Sequence, residues 1–117
     1  MQPMKASLAD LLRQIPGAPS PQWPAGERYV VAFSHGTMSV GFYAPTEPDP
    51  QQPHQRDELY IVHAGSGEFV VGDKRQRCAA GDVLFVAAGV AHRFEQLSAD
   101  FATWVVFWGP PGGEGSG

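Results

Sequence analysis

Two stretches of the chain decide its fold: residues 54–67 read HQRDELYIVHAGSG, and residues 81–96 read GDVLFVAAGVAHRFEQ. Each joins a run of β-branched and aromatic residues to glycines that mark turns, which is typical of a strand beside a tight turn. Each run also places a polar side chain on an apolar strand face: Glu58 with Tyr60 and Val62 in the first, and His92 with Phe94 in the second. Burying such a group is costly unless it has a partner, and a metal ion is an efficient one. The two stretches therefore predict strands that bring polar side chains to a common point inside a barrel.

The rest of the chain repeats the strand pattern. Short β-type runs occur at 28–34, 38–44, 58–64, 67–71, 75–79, 82–87, 91–97 and 101–108. Eight short strands with a turn signal every few residues predict an all-β fold, a small barrel or sandwich. The segment 44–53 contains four prolines. Since proline cannot donate to a central ladder, we expect this segment to be a loop that leads into an edge strand.

An amphipathic helix is predicted before the barrel, at residues 7–15. Its leucines and Ile15 recur at helical spacing, Ser7 can cap it, and Pro16 ends it. We expect this helix to lie across the outside of the barrel and to cover an edge or an open end. The predicted organisation is a helix and proline-rich connector at 1–26, a barrel at 27–108 and a flexible tail at 109–117.

Composition limits the partners. The chain has 117 residues and a net charge of −4, without a block of five or more Lys or Arg, so nucleic acids and anionic membranes are not expected to bind. A single cysteine, Cys78, excludes an intrachain disulfide and is expected to be a small buried side chain. Neither a signal peptide nor an apolar run of about 18 residues is found, so we expect a cytoplasmic protein with a small-molecule partner.

The candidate metal ligands are His54, Glu58 and His92. Four residues along a straight strand span about 13 Å, so His54 and Glu58 can share an ion only if the chain reverses at 55–57. In that case the two residues face each other across neighbouring strands, about 5 Å apart. Two imidazoles and one carboxylate suit iron, manganese, cobalt, nickel or zinc.

Further polar residues are candidates for the same site. Gln52 lies two residues before His54 and so shares its face, as a fourth metal ligand or as a partner for a metal-bound water. Tyr60 shares the inward face of Glu58 and, with Gln52, is a candidate for steering a substrate. Asp57 is expected to cap local backbone, with the orientation of His54 as the alternative role.

Each ligand also has a plain structural alternative. His92 could be a core histidine bonded to a backbone carbonyl, and His54 and Glu58 could be exposed hairpin residues. Apolar residues could line a pocket around the ion or could simply fill the core; they are Met38, Val40, Phe42, Tyr60, Phe94, Trp104 and Val106. His35 and His63 fit no ligand pattern and are expected at the surface.

The first stretch resembles the first motif of the cupin superfamily, G-x5-H-x-H-x3–4-E-x6-G. His54 takes the place of the second histidine, Glu58 that of the glutamate, and Gly65 follows at the required distance. Gln52 stands where the family has its first histidine.

The second stretch resembles the second cupin motif, G-x5-P-x-G-x2-H-x3-N. Gly81, Gly89 and His92 fit this spacing, whereas Ala87 replaces the proline and Gln96 the asparagine. The resemblance covers roughly residues 38–108. It implies a jelly-roll barrel in which the two motifs supply one metal site.

In the resembling family such sites serve dioxygenases, isomerases and decarboxylases. The resemblance therefore implies a mononuclear metalloenzyme acting on a small oxygenated or aromatic molecule. The alternative is a non-catalytic barrel that binds or senses a small molecule, since fold alone does not decide function; a storage or structural role is the third reading. We also expect a homodimer formed through the helix or the strand at 28–34.

Overall fold

The computed structural model describes residues 4–115. Within this range the chain forms one short helix and eight strands. The helix is α1 (Leu8–Leu12), and the strands are β1 (Tyr29–His35), β2 (Met38–Tyr43), β3 (Asp57–Ala64), β4 (Ser66–Val71), β5 (Lys74–Ala79), β6 (Val83–Val86), β7 (His92–Glu95) and β8 (Ala102–Trp108). All eight predicted strands are confirmed, and their ends shift by no more than about two residues, the usual uncertainty of strand ends.

The strands form two antiparallel sheets that face each other. The larger sheet has the order β1-β2-β8-β3-β6, and the smaller has the order β5-β4-β7. Strand β3 pairs with β8 on one side and with β6 on the other. The prediction that the proline-rich segment leads into an edge strand was therefore wrong. The prolines end before β3 begins, so all of its backbone donors remain available for two ladders.

The core lies between the sheets and is largely aromatic. Tyr60 of β3, Phe69 of β4 and Phe94 of β7 are all buried, with ring centroids 4.9–5.9 Å apart. Along β3 the side chains alternate as predicted: Glu58, Tyr60 and Val62 are buried, whereas Ile61 is 39% exposed. This alternation turns the Glu58 carboxylate toward the interior.

Helix α1 covers the outer face of the larger sheet. It is shorter than the predicted helix, and the Ser7 side chain makes no capping hydrogen bond. Leu11 is buried in a cluster with Phe42, Ala44 and Ala102. The helix thus covers a sheet face that would otherwise leave aromatic residues in water, rather than an edge or open end of the barrel. No helix in residues 4–115 is long and apolar enough to cross a membrane.

The segment after β8 returns to the barrel. The backbone N–H of Gly112 donates to the carbonyl of Gln55 over 2.7 Å, and the N–H of Glu114 donates to Asp57 over 2.9 Å. Hydrogen bonds do not measure mobility, so the flexible tail and the domain boundaries stay predictions. Residues 116–117 of that tail lie outside the described residues.

The three glycines singled out in the sequence all adopt left-handed backbone conformations. Their φ angles are 78° at Gly65, 95° at Gly81 and 80° at Gly89, which disfavour any side chain. Gly65 is also crowded: a Cβ there would lie 2.7 Å from Cα of Phe101 and would overlap the Ser98 hydroxyl. At Gly89 a Cβ would meet nothing within 4 Å.

We expect Gly65→Ala to lower the free energy of unfolding more than Gly89→Ala. The left-handed conformation costs about 1–2 kcal/mol at either position. Overpacking adds about 1–3 kcal/mol at Gly65 alone. Urea denaturation of both variants measures the difference, and equal losses would show that the close approach at Gly65 is unimportant.

Candidate metal centre

Three different segments bring the predicted ligands together. Glu58 lies on β3, His92 opens β7, and His54 lies in the loop before β3. Their ligand atoms all lie within 4.8 Å of one another. Glu58 and His54 could instead have been exposed hairpin residues. Glu58 is not, because it is only 2% exposed, and His54 is half-buried rather than exposed.

His54 reaches this point by a different path from the predicted one. The chain does bend at residues 55–56, but His54 belongs to no strand, so it does not oppose Glu58 in a ladder. Its carbonyl instead accepts a hydrogen bond of 2.7 Å from the backbone N–H of Gly89. Pro53 explains the difference, because a proline beside His54 removes a donor that a hairpin would need.

The donor atoms of Glu58 and His92 are separated as two ligands of one ion would be. Oε1 of Glu58 lies 3.1 Å from Nε2 of His92 and 3.8 Å from Nε2 of His54. Two ligands bound at about 2.1 Å to the same ion lie roughly 3.0–3.4 Å apart. The distance between Glu58 and His92 falls within this range, the distance between Glu58 and His54 lies outside it, and all three donor atoms lie within 4.8 Å of one another.

The ring of His92 is held with one nitrogen toward the site. Its Nδ1 lies 2.8 Å from the carbonyl oxygen of Val90, which accepts the Nδ1 proton and leaves the lone pair of Nε2 facing Glu58 when the ring is neutral. The structural alternative for His92, a core histidine bonded to a backbone carbonyl, is therefore partly correct. The bond to the Val90 carbonyl is present, and it orients the ring toward the site. Burial lowers the pKa of His92, but Glu58 and the Val90 carbonyl outweigh burial, so the pKa is raised. Burial lowers the pKa of His54.

Glu58 carries the strongest indication of a missing partner. Its Oε1 atom is buried and has no hydrogen-bond partner among the described residues, although Nε2 of His92 lies within 3.1 Å of it. The two groups are close enough for an ion pair but lack hydrogen-bond geometry. A buried carboxylate oxygen without a donor is costly, and a cation would offset this cost. The residues present therefore fit a divalent metal ion.

Tyr60 adds a hydroxyl beside the three donors. Its oxygen lies 2.8 Å from Oε1 of Gln51 and 3.0 Å from Nε2 of His92. Burial raises the pKa of Tyr60 well above its usual value, so the hydroxyl keeps its proton and acts as a donor.

Gln51 was not identified from the sequence as a residue of the site, and its neighbour Gln52 was named instead. Oε1 of Gln51 lies 3.3 Å from Nε2 of His54. Gln52 borders the same cavity, but it is exposed, and no hydrogen bond joins it to the three ligands within the described range. The prediction assumed an extended strand through residues 52–54; the neighbouring prolines were the signal that this alternation does not apply.

A cavity of about 380 Å³ opens over the site. The residues that line it come from the connector, the larger sheet and the loop before β3; they are Gln22, Trp23, Glu27, Tyr29, Tyr43, Gln51, Gln52, His54, Glu58, Tyr60, Val105 and Phe107. His92 does not line the cavity; it contacts Glu58 and Tyr60, which do.

Of the seven residues that could line a pocket around the ion or fill the core, Tyr60 alone lines this cavity, whereas Phe42 and Phe94 are fully buried in the core. Phe42 and Trp104 contact each other on the outer face of the larger sheet, with centroids 5.0 Å apart, beneath α1. The cavity is lined instead by their chain neighbours Tyr43 and Val105. The alternation was predicted correctly, but its direction was inverted on β2 and β8, since apolar residues occupy both faces of these strands.

Asp57 stabilises the site from outside. Its carboxylate accepts hydrogen bonds from the backbone N–H groups of Ala88, at 3.0 Å, and Glu114, at 2.9 Å. These bonds lower the pKa of Asp57. The prediction of a local cap was wrong, because both donors lie about 30 residues or more along the chain. As predicted, His35 and His63 are exposed and Cys78 is buried.

Comparison with known proteins gives a family match and a close relative. A family model described as a cupin domain matches residues 40–108. An uncharacterized protein of Streptomyces coelicolor is 41% identical over 85 residues, which cover 71% of this chain and 80% of that protein.

Solved structures share the fold at low identity. A Cupin 2 conserved barrel domain protein of Salinispora arenicola has a TM-score of 0.60 and 20% identity, covering 69% of this chain and 74% of that chain. The DMSP lyase DddQ of Ruegeria pomeroyi has a TM-score of 0.58 and 22% identity, covering 71% of this chain and 48% of that chain. This chain therefore spans about half of the lyase, and the likeness to both structures is one of fold.

Proposed function

Because this chain belongs to the cupin superfamily, we propose that it is a mononuclear metalloenzyme, dioxygenase-like or isomerase-like, acting on a small oxygenated or aromatic molecule. His54, Glu58 and His92 would hold one divalent transition-metal ion. The observation that carries the proposal is the buried Oε1 atom of Glu58, which has no hydrogen bond from any described residue and lies beside two imidazole nitrogens.

The donor set suits an ion that keeps open positions. A divalent transition metal held there would supply a Lewis acid or a redox centre for oxygen chemistry. The chain's own residues would bind and orient the substrate. Tyr60 donates its proton to Oε1 of Gln51 over 2.8 Å and would donate to a substrate oxygen only by exchanging that hydrogen bond for a new one.

The cavity supports a small, uncharged, partly aromatic ligand. Trp23, Tyr29, Tyr43 and Phe107 provide apolar walls, and no Lys or Arg occurs among the described residues that line it. Strongly anionic substrates such as sugar phosphates would lack a counter-charge from the walls. The Tyr29 hydroxyl is buried without a hydrogen-bond partner among residues 4–115, and burial raises its pKa to about 12, so it remains a free donor for a ligand.

The second candidate function is a non-catalytic binding or sensing barrel. The hydrogen bond from Tyr60 to Gln51 favours it, because it pairs two polar groups of the site without any ion. A lyase with the same fold shows that the fold can host an enzyme, but it does not decide the function of this chain.

We expect the anaerobically purified protein to bind about one equivalent of Mn²⁺ or Zn²⁺. Glu58→Gln should weaken the affinity at least about 100-fold, since loss of even an outer-shell partner costs 10–100-fold. Isothermal titration calorimetry and elemental analysis measure both quantities.

The matched control is Glu68→Gln, a partly buried glutamate on β4 that pairs with Arg75. This variant should bind metal as the wild type does. Failure of the wild type to bind any transition metal after anaerobic reconstitution would exclude the metalloenzyme.

The two candidate functions give different results with a panel of small phenolic and carbonyl compounds. The enzyme should convert one of them only with metal, and His92→Ala should abolish turnover. A binding module should instead show a thermal shift by mass action that survives chelation and yields no product. Mass spectrometry of the panel, with and without EDTA, distinguishes them.

We also propose a homodimer formed through β1. This strand is one edge of the larger sheet, and its Val31 side chain is 57% exposed. Free edges of this kind pair readily with a second chain. Light scattering should give twice the chain mass of 12.6 kDa, and Val31→Lys should give the chain mass. Val83→Lys, on the opposite edge strand β6, is the control and should leave the dimer intact; a wild-type mass of 12.6 kDa would contradict the proposal.

A further inference from the structure

We infer that Gln51 supplies a fourth donor, its amide oxygen, to the His54, Glu58 and His92 set, and that Asp49 holds it in place. This inference rests on the proposed metal site and specifies its composition. It assigns the role to a residue one position away from the one that the sequence motif indicates.

The amide oxygen of Gln51 lies beside a candidate metal ligand and the Tyr60 hydroxyl. Oε1 of Gln51 lies 3.3 Å from Nε2 of His54, which is within the roughly 3.0–3.4 Å expected for two ligands on one ion. It also accepts the hydroxyl proton of Tyr60 over 2.8 Å. A carbonyl oxygen has two lone pairs, so it can accept from Tyr60 and still face the ligand cluster.

The orientation of the amide is set by charge. Nε2 of Gln51 donates to Oδ2 of Asp49 over 2.6 Å, and the backbone N–H of Gln51 donates to Oδ1 of the same carboxylate over 3.2 Å. A carboxylate accepts hydrogen bonds but cannot donate them. A flipped amide would bring two oxygens together at that short distance, so the NH₂ group must face Asp49 and the oxygen must face the site.

Asp49 is itself anchored to the strand that carries His92. It is 8% exposed, and its Oδ2 accepts the backbone N–H of Phe94 over 2.9 Å, two residues after His92 on β7. The hydroxyl of Tyr43 on β2 donates to Oδ1. Asp49 thus joins the loop to both sheets, and the position of Gln51 relative to His92 does not depend on the loop alone.

The amide oxygen of Gln51 carries no net charge, and this determines which ions it would favour. An amide oxygen is a hard ligand without charge, so it adds a contact without changing the net charge of two imidazoles and one carboxylate. It favours ions that accept oxygen ligands, among which Mn²⁺ is the convenient probe. With four donors from the chain, a six-coordinate ion would keep two positions for a bidentate substrate.

The test compares Gln51→Met with Gln52→Met. Methionine keeps the length of the side chain but offers only a soft thioether, a poor ligand for Mn²⁺. We expect Gln51→Met to lower the Mn²⁺ affinity by about ten-fold or more and Gln52→Met to leave it unchanged within about two-fold. Calorimetric titration of the metal-free proteins measures both, and their melting temperatures without metal check that each variant is folded.

A second readout separates a ligand from a residue that only supports His54. The visible absorption of the Co²⁺-loaded protein depends on the number and type of donors, so it should change in Gln51→Met and remain that of the wild type in Gln52→Met. Equal Mn²⁺ affinity and an unchanged Co²⁺ spectrum in Gln51→Met would overturn the inference, as would a larger loss in Gln52→Met. A wild type that binds neither ion would instead overturn the proposed function.

Discussion

The structure depends on one constraint: a carboxylate is buried within an aromatic core. Glu58 is 2% exposed, and Oε1 lies 3.1 Å from Nε2 of His92 on the opposite sheet. A buried charge destabilises a fold unless an opposite charge or hydrogen-bond donors compensate it. The small β-barrel brings such groups from both sheets and from a loop to the same place. Fold and chemistry are therefore linked through this one side chain.

The loop before β3 is ordered by side chains rather than by a ladder. Its prolines remove backbone donors, so the segment needs other hydrogen bonds to be held against the barrel. Asp49 provides them, accepting from Gln51, Tyr43 and the backbone of Phe94. On the other side of the site, Asp57 holds the backbone of Ala88. Two buried acids that do not line the cavity thus hold irregular segments of the chain against the strands.

The larger sheet divides its two faces between chemistry and stability. The inner face carries Glu58 and Tyr60 beside the cavity, whereas the outer face carries Phe42 and Trp104 under helix α1. Both faces are rich in apolar residues, which is why the composition of β2 and β8 alone could not show which residues face the cavity. The short helix α1 covers the outer face, and this leaves the other face of the sheet toward the cavity.

The amino-acid sequence by itself determined the strands, the turns and the inward direction of Glu58. Alternation along β3 and the left-handed glycines are local properties, so Glu58, Tyr60 and Gly65 could be assigned from spacing alone. The choice of His92 as a ligand, rather than as a core histidine, depended on the spacing of the family motif. The family resemblance added the expectation that the two stretches meet at one site.

Only the tertiary structure decided how the remaining groups reach that site. His54 and Gln51 lie in a segment with neither helical nor strand periodicity. The position of His54 depends on a hydrogen bond with Gly89, which is distant in sequence, and the direction of the Gln51 side chain depends on Asp49 in the same irregular loop. The partners of Asp57, Ala88 and Glu114, are likewise distant in sequence. Spacing predicts side-chain direction only where the backbone repeats, and in a proline-rich loop that direction is set by non-local hydrogen bonds.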